Sequence, residues 1–110
     1  MQTINKQKPS AGLARLHGVS EREMTSLAKF SSKAEAFGIR TTNIGRGPLL
    51  GVGCRLQLSG NHDYEVLVSN GQVLLGEVEA SGKRIRLSEG ADTEASWALL
   101  LKTIQTEEKR

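Results

Sequence analysis

The sequence predicts an α+β fold: an N-terminal helix or helix pair, a three- to four-stranded antiparallel meander, and a C-terminal helix packed on one face of the sheet. Three observations predict it. Apolar residues recur at three- and four-residue steps in residues 20–37 and again in residues 93–104. Between these segments the apolar period becomes two. Asn70-Gly71, inside the alternating region, is typical of a tight hairpin because both residues tolerate positive φ.

The N-terminal part of the chain begins with polar residues that lack periodicity. Residues 1–9 are therefore predicted to be a flexible basic arm, and residues 10–110 a single domain. Residues 10–17 have the composition of a short helix that Gly18 would end. Ser20 and Glu23 have the spacing of a capping box, which predicts a helix start. One apolar face of this helix, before a left-handed cap at Gly38, consists of Met24, Leu27, Phe30, Ala34 and Phe37.

The strands follow a period of two. Residues 39–44 have the pattern of a short strand, and the segment from Gly45 to Gly53 is predicted to be a mobile connection with Arg46 at its tip. The alternating strands are predicted at residues 54–58, 64–68, 73–78 and 84–87. Asp92 or Thr93 is expected to cap the last helix, whose apolar face holds Trp97, Leu100, Leu101 and Ile104. The charged end, residues 107–110, is expected to fray.

Charge is distributed unevenly along the chain. The net charge is +3, but residues 1–50 carry eight Lys and Arg against three Glu, which gives +5. Residues 51–110 carry seven against nine, which gives −2. This asymmetry favours a polyanion or an acidic partner for the first half, although a solvated surface with scattered lysines explains it too.

Catalytic and metal-binding patterns are weak. Cys54 is the single cysteine, and a nucleophilic pair of Cys54 with His62, beside Asp63, is the only enzymatic arrangement that the spacing suggests. His17 and His62 are too far apart in sequence for a zinc site. The glycines between residues 45 and 53 precede a strand, whereas phosphate-binding loops precede a helix. We therefore expect no enzyme activity, no metal and no cofactor.

The lone cysteine, together with the lack of a signal-peptide core or a long apolar run, predicts a cytoplasmic protein without a membrane partner. The modest predicted core makes a homodimer possible.

Residues 13–27 resemble the helix-turn-helix of bacterial and phage DNA-binding proteins. Ala14 and Gly18 hold the spacing of the small residue and the turn glycine, and Ser20 begins what would be the recognition helix. An ordinary helix corner with a capping box explains the same pattern. The resemblance implies that five side chains face the major groove: Glu21, Arg22, Thr25, Ser26 and Lys29.

A second resemblance covers more of the chain. The helix end at residues 36–39, the strands that follow and the leucine-rich last helix are similar to the first part of dimeric type III secretion chaperones. That family holds extended partner segments on an exposed sheet and helix surface, which implies a protein-binding role here.

The expected function is a non-catalytic binding module, with duplex DNA as the first expectation. The residues expected at the nucleic-acid interface are Arg15, Arg22, Thr25, Ser26, Lys29, Lys33, Arg40 and Arg46, the cations acting mostly on phosphates. The alternative is a protein-protein interaction module, such as a chaperone, inhibitor, immunity or assembly factor. That module would bind through a sheet edge and a helix surface.

Overall fold

Two helices and a five-stranded antiparallel sheet make up the computed structural model, which describes residues 19–46 and 53–110. The strands are paired in sequence order from β1 to β5. In chain order the elements are α1 (Glu21–Glu35), β1 (Arg40–Arg46), β2 (Cys54–Ser59), β3 (Asp63–Ser69), β4 (Gln72–Val78), β5 (Arg84–Ala91) and α2 (Glu94–Glu108). The α+β class and the order helix, antiparallel meander, helix agree with the prediction. The predicted number of strands, three to four, was wrong.

Helix α1 starts and stops where its local sequence indicates. The Ser20 hydroxyl accepts from the Glu23 amide at 3.1 Å, and a Glu23 carboxylate oxygen accepts from the Ser20 amide at 2.9 Å, so the capping box is formed. At the other end Gly38 adopts φ +86° and the Ile39 amide donates to the Ala34 carbonyl. The prediction that Phe37 belongs to the apolar face was wrong, because its side chain is 55% exposed. It lies beyond the last helical turn, where the left-handed residue redirects the chain.

The sheet buries one face against both helices. Alternate residues of β2 and β3 are buried, and every second residue between them lies on the opposite, outer face. From the sheet and the residue just before β1, the core receives Ile39, Cys54, Leu56, Leu58, Tyr64, Val66, Val68, Val73 and Leu75. From the helices it receives Met24, Leu27, Phe30, Ala34, Trp97, Leu100 and Ile104, as their apolar spacing predicts.

The connections confirm the hairpin prediction and correct two boundaries. Asn70 and Gly71 adopt φ +49° and +75°, as a tight turn between β3 and β4 requires. Arg46 does not lie at a loop tip, because β1 continues to Arg46, which pairs with Cys54 of β2. The last strand was predicted over residues 84–87 but runs on to Ala91.

The last helix begins at one of its two predicted caps but differs from the prediction at its C-terminal end. Thr93, not Asp92, is the N-cap, and Asp92 instead accepts a hydrogen bond from the indole nitrogen of Trp97. The C-terminal end is not frayed: α2 continues through Glu108, whose side chain binds the turn between β2 and β3. The predicted basic arm (residues 1–9), the short helix (residues 10–17) and most of the glycine-rich connection (residues 47–52) lie outside the described residues. Neither helix of the described ranges has the length and hydropathy needed to span a bilayer.

Candidate functional site: a groove between the two helices

A groove of about 450 Å³ lies between α1 and α2, on the side of the helices that faces away from the sheet. Its floor is apolar and is formed by Phe30 from α1 and by Trp97, Ala98 and Leu101 from α2. The rings of Phe30 and Trp97 contact each other with centroids 5.4 Å apart and planes inclined at 52°. This aromatic pair fixes the distance between the helices and so sets the width of the groove.

The rims of this interhelical groove are polar and mostly cationic. Lys29 and Lys33 of α1 line one side and Lys102 of α2 the other, all with exposed side chains. Among the lining residues that the structure describes, Glu94, at the start of α2, is the only acidic one. None of the salt bridges among the described residues involves these three lysines. Their charges are therefore available to a ligand.

Four of the predicted interface residues lie on one flank of α1. Arg22, Ser26, Lys29 and Lys33 follow each other at steps of three and four residues, so they form a stripe along the side that faces α2. Ser26, Lys29 and Lys33 line the groove itself. Arg22 lies nearer the start of the helix, where its guanidinium donates to the Asp92 carbonyl at 3.3 Å.

The other predicted residues do not join this stripe. Thr25 is exposed, and its hydroxyl donates to the Glu21 carbonyl of its own helix. Arg40 and Arg46 stand at the two ends of β1, about 20 Å apart for a strand of seven residues. Arg15 lies outside the described residues, as does the first helix of the predicted helix-turn-helix. The structure therefore brings together Arg22, Ser26, Lys29 and Lys33, and separates Thr25, Arg40 and Arg46 from them.

Sequence reasoning missed Lys102, the lysine on the opposite rim. It belongs to the half of the chain with net negative charge, so the argument from charge asymmetry passed over it. A helical projection of α2 could have found it. Lys102 follows Ala98 by one turn and is adjacent to Leu101, which places it on the border of the apolar face.

The geometry gives no support to a Cys54-His62 nucleophilic pair. Cys54 begins β2 and His62 lies beyond the other end of that strand, so about 16 Å of extended chain separates them. Burial raises the pKa of the Cys54 thiol to about 11, which keeps it protonated at neutral pH. The His62 ring lies instead beside Glu77, with Nδ1 3.5 Å from its carboxylate.

Two other clusters of polar residues lie on the sheet. Glu65 is 2% exposed on the outer face, where Arg84 donates to it at 2.7 Å and Arg55 lies 3.5 Å away. This carboxylate is neutralised by its own neighbours, so the cluster is a structural ion pair network. A shallow depression of about 350 Å³ beside the β3-β4 hairpin includes Leu67, Leu74 and Glu89, and none of the described residues that line it is a cation. The described residues contain no group of three or more His, Cys, Asp or Glu side chains that could hold a metal.

These features define a two-layer α+β protein in which two helices on an antiparallel meander form a cation-rimmed, apolar groove. Comparison of the chain with protein-family models, with curated proteins and with solved structures gives no match.

Proposed function

We propose that this protein is a non-catalytic binding module that holds an acidic, partly apolar segment of a partner protein in the interhelical groove. The observation that supports this proposal is the combination of an apolar floor with three lysines on the two rims. A ligand that fits must bury apolar groups against Ala98, Leu101 and the edge of Trp97, and present carboxylates to Lys29, Lys33 and Lys102. Protein segments with alternating apolar and acidic residues have this chemistry.

The sheet edges favour the groove over strand addition. Each edge strand carries a β-bulge on itself: Thr42 is the extra residue of β1, and Leu87 is the extra residue of β5. Bulges twist an edge and interrupt its row of free amides and carbonyls, which is one way that proteins prevent pairing with a further strand. Of the two protein-binding surfaces expected from the sequence, the helix surface is therefore the better candidate.

Duplex DNA is the second candidate, favoured by the stripe of Arg22, Lys29 and Lys33 along one flank of α1. Three cations on one flank can contact successive phosphates. Two features favour a protein ligand over DNA. The lysines border an apolar floor, which phosphates do not require, and the exposed face of α1 also carries Glu21 and Glu35, which repel phosphate.

A site-specific photo-crosslinking experiment distinguishes the two candidates. A photoreactive phenylalanine analogue replaces Ala98 in the groove or, as the control, Ala80 in the exposed turn between β4 and β5. In nuclease-treated lysate of cells that express the chain, we expect a protein adduct from position 98 and none from position 80.

Charge reversal tests whether the adduct depends on the rims. The double variant Lys29→Glu/Lys33→Glu should abolish the adduct, whereas Lys83→Glu/Lys109→Glu makes the same change in net charge at exposed positions away from the groove and should preserve it. The absence of a groove-specific adduct would rule out the proposal. DNA takes its place if duplex binding at low salt is lost in the first double variant and kept in the second.

A further inference from the structure

We propose that the occupant of the interhelical groove is an amphipathic α-helix with acidic residues in its first turns, lying antiparallel to α1 and α2. This inference rests on the proposed function and specifies the conformation, charge order and direction of the partner segment. Three features of the groove support it: the state of the backbone in its walls, its length, and the position of its charges.

The walls of the groove offer no backbone partners to an extended segment. Both walls are helices, whose amides and carbonyls are satisfied within each helix, and the floor is made of apolar side chains. An extended peptide lying on that floor would leave amides and carbonyls without hydrogen bonds, at a cost of about 1–3 kcal/mol for each buried group. A helix satisfies its own backbone, so it can bury one face against Trp97, Ala98 and Leu101 without this cost.

The length of the groove matches a short helix. On α1 the lining runs from Ser26 to Lys33, which is about 10 Å at the helical rise of 1.5 Å per residue. On α2 it runs from Glu94 to Gln105, or about 16 Å. A helix of two to three turns spans the same distance.

The two walls run in the same direction, so the groove has a polarity. An odd number of antiparallel strands separates α1 from α2, and the Arg22 side chain near the start of α1 donates to the Asp92 carbonyl just before α2. The N-terminal ends of both helices therefore lie together. Glu94 stands at that end, whereas Lys29, Lys33 and Lys102 lie in the second halves of their helices.

This polarity selects one direction for the ligand. A helix carries acidic residues most favourably in its first turn and basic residues in its last turn, because of its dipole. Only a ligand helix that runs antiparallel to the walls brings its acidic first turns to Lys33 and Lys102. The same direction brings its basic last turn to Glu94. In that direction its dipole also opposes those of α1 and α2.

Three synthetic peptides of about 14 residues test the inference with the full chain. The first has leucines at helical spacing, glutamates in its first two turns and lysines in its last turn. The second exchanges the glutamates and lysines, and the third places proline at the centre of the first sequence to prevent a helix. Because Trp97 is the only tryptophan and lies in the groove floor, its fluorescence reports binding at the site.

We expect the first peptide to bind at least about tenfold more tightly than the other two, which corresponds to a difference of about 1.4 kcal/mol in binding free energy. Its affinity should fall about tenfold in Lys29→Glu/Lys33→Glu, because the rim loses two of its cations. The affinity should remain unchanged in Lys83→Glu/Lys109→Glu. A spin label on the peptide N-terminus should broaden the amide resonances of Lys33 and Lys102 rather than those of Ser26 and Glu94.

Equal binding of the proline peptide would overturn the helical conformation, and equal binding of the charge-exchanged peptide would overturn the direction. Dodecanoate, a small amphipathic anion, is the competing probe. If it binds the groove and no peptide binds at concentrations up to about one millimolar, the site is one for small amphipathic anions and the inference fails. Failure of all peptides together with a groove-specific protein adduct would reject the helix while the proposed function stands. Absence of that adduct rejects the proposed function itself.

Discussion

Helices α1 and α2 are each fastened to a turn of the sheet by one glutamate, at opposite ends of the helix layer. Glu23, in the first turn of α1, accepts from the Gly71 amide in the β3-β4 hairpin at 2.7 Å. Glu108, in the last turn of α2, accepts from the amides of Asn61 and His62 in the β2-β3 turn at 2.8 and 3.1 Å. Both glutamates accept hydrogen bonds from turn amides that have no partner in the strand ladder.

The two glutamates differ in the number of hydrogen bonds that each makes to the sheet. One oxygen of Glu23 is already used by the Ser20 amide of the capping box, so a single bond ties α1 to the hairpin. Glu108 directs both oxygens across to the sheet, and the hydroxyl of buried Tyr64 donates to it at 2.7 Å. The comparison indicates that a local motif extended by one contact fastens α1, whereas a set of long-range contacts fastens α2.

Glu108→Ala should therefore cost the most stability. It removes three hydrogen bonds to a carboxylate and leaves the Tyr64 hydroxyl without its partner, so we expect a loss of about 3 kcal/mol after allowing for partial solvation. Urea unfolding at pH 7, followed by Trp97 fluorescence, measures it. The matched control is Glu107→Ala, which removes a partly exposed ion pair with Arg110 and should cost less than about 1 kcal/mol. Equal losses in the two variants would show that Glu108 does not fasten α2.

Glu23→Ala should cost less, about 2 kcal/mol, because it removes one capping bond and one bond to the hairpin. The neighbouring variant Glu21→Ala, in the same helical turn but exposed, should change the free energy of unfolding by less than about 0.5 kcal/mol. Amide hydrogen exchange adds a local measurement, since the Gly71 amide should lose protection in Glu23→Ala and keep it in Glu108→Ala. The reverse order of the two losses in stability would contradict the comparison.

The sequence predicted the capping role of Glu23 but not the contacts of Glu108, and the reason is physical. A capping box is formed by residues three apart, so its geometry follows from the start of one helix. The contact of Glu108 with Asn61 joins residues 47 apart, and it exists only after α2 has packed on the sheet. The charged residues 107–110 therefore looked like an end that frays.

The same distinction explains the strands and the groove. The apolar alternation of β2 and β3 was visible because one face is buried. Edge strand β1 is mostly exposed, with the sequence RTTNIGR, so the burial that creates alternation is absent and its extent was underestimated. Lys29 and Lys33 were predicted from local charge, but their convergence with Lys102 depends on packing between two helices distant in sequence.

Gly60 sharpens the comparison, because the approach of Glu108 to the sheet depends on it. A β-carbon at position 60 would clash with the Glu108 carboxylate. We expect Gly60→Ala to cost about 1–2 kcal/mol in the wild-type background, by displacing that carboxylate from the turn amides. In the Glu108→Ala background the same substitution should cost almost nothing, so a double-mutant cycle isolates the coupling. Costs that simply add would show that Gly60 is required for the turn itself.

The smallest expected effect is a pH dependence specific to Glu108. Burial alone would raise the pKa of this carboxyl, but hydrogen bonds from the Asn61 amide, the Tyr64 hydroxyl and the His62 amide outweigh it and hold the pKa below the ordinary 4.5. A carboxyl whose pKa is lower in the folded state stabilises the fold above pH 4.5, and this contribution is lost as the pH falls through the folded pKa.

Wild type should therefore lose stability on acidification more steeply than Glu108→Gln, and the difference in free energy of unfolding between them should narrow below pH 4.5. Urea titrations at neutral pH and at several acidic values measure it, with Glu107→Gln as the control for the loss of one carboxylate. A constant difference between wild type and Glu108→Gln across this range would mean that the Glu108 contacts do not depend on its charge. The hydrogen bonds of Glu108 to the β2-β3 turn and to Tyr64 would then stabilise α2 equally with a charged and with a neutral carboxyl.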